Sequence, residues 1–166
     1  MSISKKSIAL FAVLLCAVMA LSACSVKIPE ISSPRLVQMD GFNLYLGQKE
    51  SEIDKLMVAG VYMPYEDGGN FTDYPDHMVI VDFDAKGFTT RLRINAEGTL
   101  YNGVKIGMTR SEVEKLAPEW SFEAENGRLR TEYSKDDTQG KIFYYIEYRF
   151  DNDNNLDRVY ISYAQN

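Results

Sequence analysis

Alternation of apolar and polar residues dominates the C-terminal half of the chain. From Lys141 to Phe150 and from Leu156 to Tyr163, Tyr, Phe and Ile recur with period two, and Asp151-Asn152-Asp153-Asn154-Asn155 separates the runs. Strands with one buried face alternate in this way, so the two segments predict an antiparallel hairpin. His77–Phe83 and Phe88–Ile94 show the same pattern around Asp84-Ala85-Lys86-Gly87. Asn126-Gly127, between Trp120–Glu125 and Arg128–Ser134, is a strong two-residue hairpin signal. Helical spacing is confined to two short stretches. Ile53, Leu56 and Met57 share one face and Gly60 can end that helix; Val113, Leu116 and Ala117 share another, which Pro118 stops. Leu56 and Leu116 are therefore expected to be matched core residues. Thr109-Arg110-Ser111-Glu112 reads as a capping box, whereas Lys49 stands at the corresponding cap of the first helix and cannot supply a hydroxyl.

The two helical stretches belong to a longer internal match. Leu46-Gly47-Gln48-Lys49-Glu50-Ser51-Glu52-Ile53-Asp54-Lys55-Leu56 lies 60 residues before Ile106-Gly107-Met108-Thr109-Arg110-Ser111-Glu112-Val113-Glu114-Lys115-Leu116. Phe83-Asp84 then matches Phe150-Asp151, and Arg91-Leu92-Arg93-Ile94 matches Arg158-Val159-Tyr160-Ile161, both at an offset of 67. Two blocks in the same order predict an α+β fold. It is expected to consist of two tandem repeats, residues 38–101 and 102–166, each a short helical unit followed by an antiparallel β-sheet.

The N-terminal 23 residues read as an address. Lys5 and Lys6 precede an apolar run from Ile8 to Leu21, interrupted only by Cys16. That run is shorter than the roughly 20 residues a spanning helix needs, and a charged start followed by a short apolar stretch is a secretory signal. Leu21-Ser22-Ala23-Cys24 resembles a bacterial lipobox, which implies that Cys24 is acylated and becomes the first residue of the mature chain. Residues 24–37, with Pro29, Pro34 and three serines, read as a tether. With Cys16 removed and Cys24 lipidated, no thiol remains for a disulfide, a nucleophile or a metal.

Ile106-Gly107-Met108-Thr109-Arg110-Ser111-Glu112-Val113 resembles the helix-opening motif of the β-lactamase inhibitory protein fold, itself a tandem repeat of a helical unit packed on strands. Behind a lipobox, the same motif is similar to that of the small lipoproteins of the outer-membrane β-barrel assembly machinery, which have a single copy. The resemblance implies a layered α+β fold over residues 42–163, with Asp73-Tyr74 in a loop comparable to an inhibitory one. This chain departs from the inhibitor in having no cysteine for disulfides. It departs from the assembly lipoproteins in being acidic and duplicated.

Composition narrows the chemistry. Eighteen Lys and Arg against 24 Asp and Glu give a net charge of −6, which disfavours nucleic acid as a partner. One histidine, His77, has no second His or Cys with which to share a metal, and reads as a strand-edge residue. Asp151, Asp153 and Asn155 alternate like the start of a calcium loop but lack the Gly and the distal Glu, so a solvated turn is expected. No Gly-x-Ser-x-Gly elbow or phosphate-binding loop occurs. The chain is expected to be non-enzymatic and to need no cofactor or metal.

The aromatic residues carry the remaining signal. In the strand ending at Phe150, Tyr144, Ile146, Tyr148 and Phe150 share one face; the match to Val79, Val81 and Phe83 makes that face the buried one. Phe143, Tyr145, Arg149, Arg158 and Tyr160 then form the opposite face. It is either a partner-binding surface, as Tyr and Arg enrichment suggests, or a set of side chains that cover the helices or are scattered surface residues. The expectation is a lipid-anchored, extracytoplasmic protein presenting this sheet face to a protein partner. It would sit at the outer membrane in a Gram-negative host and on the outer face of the cell membrane in a Gram-positive one. The alternative is an inhibitor or sensor domain that captures a soluble enzyme or a small ligand through the acidic loop 66–76.

Overall fold

The computed structural model describes residues 35–58, 60–134 and 142–164, with the side chains of residues 134, 142 and 143 outside that description. Cys24 and residues 1–23, read above as a signal, lie outside it too. Strand β1 (Leu36–Gln38) pairs with β2 (Asn43–Tyr45), and helix α1 (Glu50–Leu56) follows. Strands β3 (Val61–Pro64), β4 (Asn70–Tyr74), β5 (Val79–Phe83) and β6 (Thr89–Ile94) form a meander. After β7 (Thr99–Leu100) comes α2 (Arg110–Leu116), then β8 (Phe122–Ala124), β9 (Arg128–Ser134), β10 (Ile142–Phe150) and β11 (Leu156–Tyr163). The result is a mixed α+β fold with antiparallel sheets. The larger sheet runs β3-β4-β5-β6-β11-β10-β9-β8 and the smaller β2-β1-β7.

The order of the large sheet places two four-stranded meanders back to back. They meet at β6 and β11, where Leu92 pairs with Ile161 and Arg93 with Tyr160, its counterpart at the 67-residue offset. Local hydrogen bonds recur with the same offsets. Gly47 N–H donates to Thr89 O (2.9 Å) as Gly107 N–H donates to Leu156 O (2.8 Å), and Glu50 N–H donates to Gly87 O (2.9 Å) as Arg110 N–H donates to Asn154 O (2.8 Å). Gly47 and Gly107 both have φ near +85°, a conformation in which a side chain is strained, so glycine opens each helical unit for the same backbone reason. Each hairpin also carries a register irregularity at the same place, after Asp82 and after Arg149.

One core fills the space between the helices and the large sheet. Val79, Val81, Leu92, Ile94, Ile146, Tyr148, Val159 and Ile161 are buried together with Ile53, Met57 and Val113, so the face read as core is the core. Phe83 is buried there too, while Phe150, its expected counterpart, is half-buried, with the Arg110 guanidinium 5.4 Å from its ring centroid.

Four expectations need correction. Leu56 and Leu116 are not core residues: each is 39% exposed. A two-turn helix rests on the sheet along one line, and Ile53 of α1 with Met57 just after it, and Val113 of α2, occupy that line, leaving the leucines on the shoulder. His77 does not begin a strand. It closes the 3₁₀ turn Pro75–His77 and meets Phe42 edge-on at 5.5 Å, and β5 starts only after Met78 in the left-handed region. Segment 66–76 is not a free acidic loop either, because Asn70–Tyr74 is strand β4, with Tyr74 buried and its hydroxyl donating to Asp54 Oδ1 at 2.8 Å. Finally, the tether does not reach residue 37, since Leu36 and Val37 lie in β1 and Val37 is fully buried.

Candidate functional site

The face of the large sheet opposite the core is built by alternation. Between the buried residues of β6, Arg91 and Arg93 point outward; between those of β11, Arg158 and Tyr160; between those of β10, Tyr145 and Arg149. Strand β9 adds Arg128 and Arg130. Register joins them into rows across the strands: Ile80, Arg93, Tyr160, Glu147, Arg130 and Phe122 are successive neighbours. Six of the chain's eight arginines stand here, with no lysine beside them among the described residues. Arg35 and Arg110 are the other two.

Three of the guanidinium groups lie over aromatic rings. Arg149 lies 4.0 Å from the centroid of Tyr160, Arg130 lies 3.8 Å from that of Tyr145, and Arg93 lies 5.3 Å from that of Phe71. Stacking of this kind fixes the planar fork and leaves its N–H edges for other acceptors. Two buried carboxylates hold the arginines in place. Glu147 Oε1 accepts from Arg149 Nε at 2.7 Å and from Arg128 Nη1 at 3.4 Å. Asp82 Oδ1 accepts from Arg93 Nη2 and from the Tyr65 hydroxyl, both at 2.6 Å, and Arg91 Nε is 3.7 Å from Oδ2. Burial and then the bond to Asp82 raise the Tyr65 pKa. Arg158 Nη1 donates to the Tyr160 hydroxyl at 3.4 Å, which raises the pKa of that guanidinium further.

The residues singled out from the sequence come together in part. Tyr145, Arg149, Arg158 and Tyr160 share this face, and all four are half-buried rather than projecting. The backbone of Phe143 is in β10, and its side chain lies outside the described residues. Arg91, Arg93, Arg128 and Arg130 were not singled out; alternation in β6 and β9 was the signal that could have found them. The calcium-like run is a turn, in which Asp151 Oδ1 accepts from the backbone N–H of Asp153 and of Asn155 at 2.9 and 2.8 Å. Asp84 does the same for Lys86 and Phe88 in the first hairpin. No group of three or more metal-ligating side chains occurs among the described residues. At one end of the sheet an open groove of about 800 Å³ is lined by Tyr65, Glu66, Asp67, Asp84, Arg91 and Tyr163.

Fold and face define the class: an α+β protein whose large antiparallel sheet packs helices on one side and leaves an arginine–tyrosine face on the other. Comparison of the chain with protein-family models, with curated proteins and with solved structures found no match. Among the described residues no helix is long and apolar enough to cross a membrane.

Proposed function

We propose that this chain is a non-enzymatic, lipid-anchored cell-envelope protein whose open sheet face binds a protein partner. The observation that carries the reading is the pairing of Tyr145 and Tyr160 with stacked arginines on a face that no helix covers among the described residues. Rigid aromatic rings beside planar guanidinium groups are the side chains most enriched at protein interfaces and their hot spots. Two tandem units of the β-lactamase inhibitory protein type account for the back-to-back meanders and for the hydrogen bonds that recur at offsets of 60 and 67. Cys24, following the signal segment, is the acyl acceptor in this reading. Two acyl chains are enough for stable attachment on the extracytoplasmic side.

Replacing Tyr145 and Tyr160 together by Ala tests the reading. Affinity for a partner isolated with the wild-type protein is expected to fall by a hot-spot amount, about 2 kcal/mol or more, with thermal stability largely retained. Unchanged affinity would contradict it.

A further inference from the structure

The open face carries more positive charge than its own carboxylates neutralise. Its six arginines face Asp73, Asp82, Glu132, Glu147 and Asp157, which leaves a small positive excess on a chain whose total charge is −6. The excess is concentrated at one end. Arg149 and Arg158 are directly opposed across β10 and β11, and the Tyr148–Leu129 pair places Arg128 beside Arg149 on β9. Like charges directly opposed across strands destabilise a sheet. Glu147 serves both Arg128 and Arg149. Among the described carboxylates Arg158 reaches Asp157 alone, at 3.7 Å, beside its bond to the Tyr160 hydroxyl, and its buried Nε has no hydrogen-bond partner. All three side chains remain about a third exposed, at 33%, 33% and 38%.

Resting on the reading that this face binds a protein, we propose that the row Arg128–Arg149–Arg158 docks a carboxylate-bearing segment of that partner. The row crosses three strands, which stand about 4.8 Å apart. Acidic side chains one turn apart on a helix are spaced by about 5–6 Å, so such a helix can present one carboxylate per arginine. A lipid headgroup offers one phosphate and needs donors that converge on it; these donors lie in a line. Planar guanidinium groups suit carboxylates bidentately, and the flanking Tyr160 supplies contact area of the kind protein interfaces use.

The test uses the full lipidated chain in a neutral detergent and a fluorescent helical peptide with Glu at every fourth position. A peptide with Gln at those positions is the control, and binding is followed by anisotropy. The Glu peptide is expected to bind at least tenfold more tightly than the Gln peptide, and more weakly as salt rises. The double variant Arg149→Gln with Arg158→Gln is expected to lose at least tenfold, while Lys86→Gln, on a distant turn, changes nothing. Should the double variant not fold, Arg149→Lys with Arg158→Lys keeps the charge but not the fork and is expected to bind several-fold more weakly. Equal binding of the two peptides, or full binding by the Arg variants, overturns the proposal. So does binding to phosphatidylglycerol vesicles that depends on these arginines when the Glu peptide does not bind. If the peptides fail while a photoreactive residue at position 145 still crosslinks a partner, the acidic docking row is wrong and the protein-binding face stands. If both fail, both are wrong.

Discussion

Asp82 lies on the open face beneath two arginines and a tyrosine, with only 6% of its side chain exposed. Removing one partner from a buried ion pair leaves the other charge uncompensated, which costs about 3–5 kcal/mol when both are fully buried. Arg91 and Arg93 keep some contact with water, so Asp82→Asn is expected to destabilise the protein by about 2–3 kcal/mol in denaturant unfolding. Asp157→Asn, at an exposed pair, should cost less than about 1 kcal/mol. Equal effects would show that Asp82 does not organise the face. Tyr144 and Tyr148 make a second prediction at this scale. Burial, the first cause in each case, pushes both phenols up to about 12. An unfolded tyrosine ionises near pH 10. A folded-state pKa raised above that value adds stability that is present below pH 10 and is lost as pH rises towards 12. Alkaline unfolding is therefore expected between about pH 10 and 12, with these two phenols ionising only as the fold is lost. Complete tyrosine ionisation near pH 10 with circular dichroism unchanged would contradict their burial.

At the scale of elements, the two seven-residue helices are too short to be stable alone and depend on the line of contact with the sheet. Ile53→Ala and Val113→Ala should each cost about 2–4 kcal/mol, because they empty fully buried positions. Leu56→Ala and Leu116→Ala should cost less than about 1 kcal/mol. The reverse ranking would show that the helices are rotated. The hairpins were legible in the sequence because alternation and turn chemistry agree there, with Asn126 and Gly127 both at positive φ. The β8–β9 connection is nevertheless three residues, Glu125–Gly127, with Ala124 opposite Arg128, and not the two-residue loop expected. The end of α2 was legible as well, since Pro118 holds Ala117 extended. Strand β4 was not, for an equally local reason. Its inward positions are Asn70, Thr72 and Tyr74, while Phe71 faces outward, so the hydrophobic alternation is inverted. Polar groups on Glu50 and Asp54 of α1 make that inversion tolerable, by accepting from Asn70 Nδ2 and from the Tyr74 hydroxyl. The small sheet was hidden too, because β1 pairs with β7 across most of the first half of the chain and each is only two or three residues long.

For the whole molecule, the candidate face was half legible. Period two assigned Tyr145 and Tyr160 to one side, but which arginines joined them depended on β6 pairing with β11, and no local pattern reveals that pairing. The consequence is a division of labour between two sides of one sheet. One side holds the core and the helices; the other concentrates six arginines on an acidic protein. In the proposed reading a protein partner reaches the second side and not the first. Site-directed photocrosslinking in intact envelopes tests this most directly, with the reactive residue placed in turn at Tyr145, at Tyr160 and at Leu116. The account predicts crosslinks to one discrete partner from positions 145 and 160, and none from position 116 on the helical side. Crosslinks from position 116 alone would contradict it.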